Sequence, residues 1–142
     1  MQSIVEQVKD QLTDLESLSA IERIKWVNCK FGNDLVLSTS FGIQSAVMLH
    51  MATQINPHIR VVFIDTGYLF DETYRYAREL TERFKLNIKK YQPLISAAEQ
   101  ESLEGKLWKQ GEKKLKKYNF TRKVEPMNRA LLDLKAKAWM AG

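Results

Sequence analysis

Cysteine is nearly absent: Cys29 is the only one in 142 residues. A single thiol excludes an internal disulfide, and any metal or iron–sulfur site this chain would build from several cysteines. Long apolar runs are missing too. The longest, such as 61–64, are strand-sized and far short of the roughly 20 residues of a bilayer-spanning helix. The start, Met1-Gln2-Ser3-Ile4-Val5-Glu6, has no basic patch followed by an apolar stretch, so no secretory leader is read there. Glycine and proline are scarce, at 6 and 3, and no repeat or low-complexity segment interrupts the chain. These absences leave one globular domain over 1–142, with no membrane association and the cytoplasm as its default compartment.

What is present is a basic chain of net charge +5. The excess is local: from Glu104 to Lys123 there are eight Lys or Arg against two Glu. Such a balance favours anionic ligands without separating nucleic acid from a small nucleotide. Lys106, Lys109, Lys113, Lys114, Lys116 and Lys117 read first as a solvated helix face, and nucleic-acid binding rests on nothing else.

The apolar spacing predicts two helices over 1–33. Ile4, Val8, Leu12 and Leu15 recur at helical intervals. Ser19-Ala20-Ile21-Glu22 has the form of a capping box, and Gly32 is placed to end the second helix. Cys29 falls on that helix's apolar face, where a buried, inert thiol is expected. An α/β core over 34–142 follows. Short runs at 34–38, Arg60–Ile64 and 86–91 have the look of buried parallel strands, with helices from Ile43 and over 71–84 between them. Residues 94–123 read as one or two helical pieces in a lid-like connection. Pro126 suits the first turn of a new helix, and 138–141 a fourth strand. The expected fold is a three-layer, doubly wound, mostly parallel sheet, in which ligands bind beyond the carboxyl ends of the strands.

Two polar loops sit at such ends. In Ser38-Thr39-Ser40-Phe41-Gly42-Ile43-Gln44-Ser45 a strand runs into a loop and straight on into a helix. Gly42 would allow a conformation closed to side chains, and the helix start would offer free amides and hydroxyls to an anion. Ser38 and Ser40 acting only as helix caps is the plainer alternative. Ile64-Asp65-Thr66-Gly67 carries an acid that either makes an Asx turn or holds a sugar hydroxyl or base. The pair Arg122-Lys123 precedes the Pro126 helix, where a cation could meet a phosphate. His50 and His58 are isolated. Trp26, Trp108 and Trp139 are read as packing residues.

Three stretches together resemble the assimilatory phosphoadenylyl-sulfate (PAPS) reductases, within the adenine-nucleotide α-hydrolase-like group. They are Leu37-Ser38-Thr39-Ser40-Phe41-Gly42-Ile43-Gln44-Ser45, the run from Ile64-Asp65-Thr66-Gly67 to Tyr74, and Lys123-Val124-Glu125-Pro126-Met127-Asn128-Arg129-Ala130-Leu131. The resemblance implies an oxidoreductase acting on sulfur. A cysteine thiolate attacks the sulfur of PAPS, adenosine 3′,5′-bisphosphate leaves, and thioredoxin or glutaredoxin releases sulfite from the S-sulfocysteine. It also implies that Ser38, Thr39, Ser40, Phe41, Gly42, Ile43 and Gln44 form the nucleotide loop. Ile64, Asp65, Thr66 and Gly67 would line the adenosine side, and Lys123 would meet the phosphate or sulfate end.

Relatives divide at two positions. ATP pyrophosphatases of the group carry a carboxylate, a magnesium ligand, where this chain has neutral Gln44, which argues against ATP cleavage. The related adenylyl-sulfate reductases place paired cysteines where Tyr118-Asn119 stand, so no iron–sulfur cluster and no other cofactor is expected. The family's nucleophilic cysteine, in a Glu-Cys-Gly-Leu-His context, has no counterpart here. The chain therefore reads as a C-terminally truncated reductase, inactive alone, or as a non-catalytic nucleotide-binding module. An incomplete core leaves the oligomeric state open, with exposed apolar groups available to drive a homodimer.

Overall fold

The computed structural model describes residues 15–141. The helix expected over 4–15 lies outside the described residues apart from its end. Helix α1 (Ala20–Phe31) opens on the capping box anticipated from Ser19 and Glu22: each side chain meets the other's backbone amide. It stops where Gly32 takes φ +48°, a left-handed value that glycine adopts without steric cost. Cys29 corrects the sequence reading. It faces solvent, because the buried stripe of α1 runs through Ile24 with Val27 and Phe31 packed beside it.

Four strands follow, β1 (Leu35–Thr39), β2 (Arg60–Ile64), β3 (Asn87–Tyr91) and β4 (Ala138–Ala141), all parallel in the order β3-β2-β1-β4. Successive strand residues point to opposite faces. Leu35, Leu37, Val61 and Phe63 therefore meet α1, α2 (Ser45–Ile55) and α3 (Asp71–Phe84) on one side. Val36 and Val62 meet Met127 and Ala130 of α6 (Glu125–Asp133) on the other. Helices thus cover both faces, the three layers expected. β1 starts one residue later than read and runs on to Thr39, since Asp34 belongs to a short 3₁₀ turn and pairs with Lys137 at 2.7 Å.

The connection from β3 to β4 holds α4 (Ala97–Glu104), a 3₁₀ turn at Leu107–Lys109, and α5 (Glu112–Asn119). Pro126 lies in the first turn of α6, as expected, but that helix is not separate from the one before it: α5 passes into α6 through a π-turn, Phe120–Val124. In that turn the Glu125 amide reaches the Phe120 carbonyl five residues back. Proline has no N–H to give and its ring crowds the carbonyl four residues earlier, so a widened turn is the way a helix keeps running through it.

The sheet's flanks differ. β3 presents Lys89 and Lys90 at one flank, whereas β4 at the other reads Ala-Trp-Met-Ala and carries no charge. The chain runs outward from β1 to β2 and β3, then returns to β4 on the far side of β1. That reversal leaves a crevice beyond the carboxyl ends of β1 and β4.

Candidate functional site

The crevice is a cavity of about 570 Å³, within the usual range for small-molecule sites. Ser38, Thr39 and Ser40 form one wall at the end of β1, and Ile64 and Thr66 continue it from β2. Lys123, Val124, Met127 and Asn128 face them from the π-turn and α6, and Leu69 and Trp139 close the sides. Val62, Ile64, Leu69, Val124, Met127 and the indole make most of the lining apolar. Its polar groups are the hydroxyls of Ser38, Thr39, Ser40 and Thr66, the Asn128 side chain and the exposed Lys123 ammonium. A flat apolar ring with an anionic tail fits such a slot.

Of the sequence-derived candidates, Ser38, Thr39, Ser40, Ile64, Thr66 and Lys123 come together here. Phe41, Gly42, Ile43, Gln44, Asp65 and Gly67 do not line the cavity. Phe41 takes φ +53°, rare for an aromatic residue, and its ring is buried edge-on against Phe63 at 4.9 Å. The unusual backbone therefore sits at Phe41. Gly42 has no left-handed φ, and a side chain there would meet only the Ser40 hydroxyl at 3.7 Å, so the conformational reason expected for that glycine is absent. Gly42 and Ile43 border a separate recess with Glu72, Thr73 and Tyr76. α2 begins at Ser45 rather than Ile43, with Gln44 before it and no side-chain cap on its first turn. Ser38 and Ser40 are thus not its caps.

Asp65 is buried and turned inward. Its carboxylate accepts from the Tyr74 hydroxyl at 2.6 Å, the Gly67 amide at 3.0 Å and the Gln92 amide at 3.1 Å, and pairs with Lys90 at 2.8 Å. Burial works to raise its pKa, but Lys90, Tyr74, Gly67 and Gln92 together outweigh it and hold the group at about 2. Tyr74 is pushed up to about 12, by burial first and then by the carboxylate it faces. The hydrogen bond that the Gly67 amide donates to Asp65 makes the Asx turn, one of the two readings the sequence left open for this acid.

Trp139, a packing residue by its sequence context, is 52% exposed instead, and its Nε1–H donates to Ser38 Oγ at 2.8 Å. With that lone pair taken, the Ser38 hydroxyl keeps its own proton for a ligand acceptor. The residue sits there because β4 pairs with β1 in a register that sets Trp139 opposite Val36. Arg122 is also placed differently from its neighbour: it is buried, while Lys123 reaches the cavity.

Residues 34–142 match the family model described as the phosphoadenosine phosphosulfate reductase domain. The chain belongs to this family. It is 56% identical over 137 residues to a phosphoadenosine 5′-phosphosulfate reductase of Synechococcus sp., covering 96% of this chain and 58% of that protein. A protein of the same name from Pectobacterium carotovorum is 56% identical over 128 residues, covering 90% of this chain and 52% of its own length. The chain thus spans little more than half the length of these curated relatives. The crystal structure of PAPS reductase from Candida auris in a phosphate complex superposes with a TM-score of 0.84 at 28% identity, covering 99% of this chain and 68% of that one. The α/β fold is that of the reductase family. Among the described residues no three His, Cys, Asp or Glu side chains are grouped to hold a metal ion, and no helix is long and apolar enough to cross a membrane.

Proposed function

We propose that the chain is the nucleotide-binding part of a PAPS reductase and takes the adenosine 3′,5′-bisphosphate portion of PAPS into the cavity between β1 and α6. The observation that carries this reading is the slot itself, mostly apolar, lined by the Ser38–Ser40 hydroxyls and by Lys123, which has no ion-pair partner among the described residues. The adenine ring lies against the apolar lining, and the β1 hydroxyls and Lys123 hold phosphate or sulfate oxygens. Sulfite release needs a thiolate, and Cys29 lies on α1, packed against the sheet face opposite α6. The chain alone therefore binds and does not reduce. In a whole reductase, thioredoxin or glutaredoxin in the cytoplasm would complete the cycle, with no metal or iron–sulfur cofactor.

Titration calorimetry of the 142-residue chain with adenosine 3′,5′-bisphosphate at low and high salt tests the site. Binding that weakens as salt rises is the expected result; no heat in either condition sinks the reading. A parallel assay with PAPS and reduced thioredoxin is expected to yield no sulfite from this chain.

A further inference from the structure

Arg122 is among the most completely buried side chains in the protein, at 1% exposure. It holds a charge that no carboxylate meets among the described residues. Its guanidinium donates instead to three neutral oxygens: Nε to Gln100 Oε1 at 2.5 Å, Nη1 to the Ile95 carbonyl at 2.8 Å, and Nη2 to the Ser96 carbonyl at 2.9 Å. Tyr68 lies against it at 5.4 Å and carries the link on to Trp108 and Tyr118. A methyl group added at Gly67 would come 4.0 Å from its Nη1, so the guanidinium also stands behind the second loop. Burying an arginine without a counter-charge is costly, and such groups persist where their hydrogen bonds hold a needed geometry.

The place where it does so is weak by backbone alone. Arg122 is the middle residue of the π-turn, and Pro126 supplies no N–H to the carbonyl of Arg122. Lys123 is the next residue along. We infer that Arg122 is a positioning residue: by tying the π-turn to the start of α4 through three neutral acceptors, it fixes the backbone from which Lys123 reaches the ligand. The inference rests on the proposed anion role of Lys123.

The test is calorimetric affinity of the 142-residue chain for adenosine 3′,5′-bisphosphate, with a urea melt of every variant. Lys123→Ala is expected to bind tenfold or more weakly. Arg122→Lys, which cannot reach all three acceptors, should lose most of that factor. The double variant should bind no more weakly than Lys123→Ala alone. A folded Arg122→Lys chain that binds like the parent overturns the inference, and so does a loss that adds in full to that of Lys123→Ala.

If Arg122→Lys fails to fold, Gln100→Leu carries the same comparison, alone and with Lys123→Ala, because it removes one acceptor and leaves the charge. Gln100→Glu keeps an acceptor while supplying a counter-charge. It should bind within about twofold of the parent; a loss as large as that of Lys123→Ala would mean that Arg122 acts through its field and not through position. Parent binding with no effect of Lys123→Ala removes the lysine as ligand and the inference with it. No binding by the parent removes the proposed site itself.

Discussion

The two loops at the ends of β1 and β2 look alike in sequence, small and polar and set just after a buried strand, yet they are wired in opposite ways. The Asp65 loop is braced at its carboxylate, which four groups of the protein answer, so that Asp65 itself is turned away from the cavity. The Ser38–Ser40 loop is open. Of its hydroxyls, Ser38 accepts from Trp139 and Thr39 accepts from the Phe41 amide, and both still have a proton to donate. A polar loop at a strand end is therefore a brace or a receptor according to whether its own chain has already satisfied it. On the proposed reading, the first kind contributes stability and the second contributes affinity.

Substitutions that separate these two currents sharpen the comparison. Asp65→Ala should have the largest effect, destabilising the chain by about 2 kcal/mol, with the urea midpoint lowered at unchanged slope. The nucleotide affinity of the molecules that remain folded should change little. The pH dependence follows from the same group. Its folded pKa, about 2, lies below the ordinary 3.8, so its stabilisation is whole above about pH 4 and is lost as pH falls through 4 towards 2. Asp65→Asn should flatten the stability profile in that window, as read by melts from pH 5 to 2. Next comes Ser40→Ala or Ser38→Ala in the open loop. Each should weaken binding of the bisphosphate by about 1 kcal/mol, roughly fivefold, while moving stability by less than about 0.5 kcal/mol. Trp139→Phe should act least, two- to threefold on affinity, since it frees Ser38 to rotate without removing its hydroxyl. A melt that drops on Ser40→Ala, or an affinity that collapses on Asp65→Asn, would break the distinction between the loops.

Much of this architecture is written locally. Arg60–Ile64 and Ala138–Ala141 fall where short apolar runs lie between turn residues, and Asp71–Phe84 where one helical stripe carries Ala77 and Leu80 inward. Ser19 and Glu22 announce α1 by a side-chain exchange over three residues. What could not be read depends on partners distant in the chain. Trp139 meets Ser38 across 101 positions, through a strand register that no local pattern states. The inward turn of Asp65 needs Lys90 and Gln92 from the end of β3. Phe41 defies its own propensity, because burying a ring against Phe63 offsets a left-handed backbone. Arg122 and Lys123 are adjacent and alike in charge, and only the π-turn and the neighbouring α4 tell them apart.

The unequal flanks of the sheet give the molecule a direction. Lysines beside β3 discourage any further strand from joining there, while the uncharged rim of β4, unpaired by any strand on its outer edge among the described residues, carries a large indole. Whatever lengthens this sheet, be it more of the same polypeptide or an aggregating neighbour, is steered to one side only. It would arrive next to the mouth of the cavity.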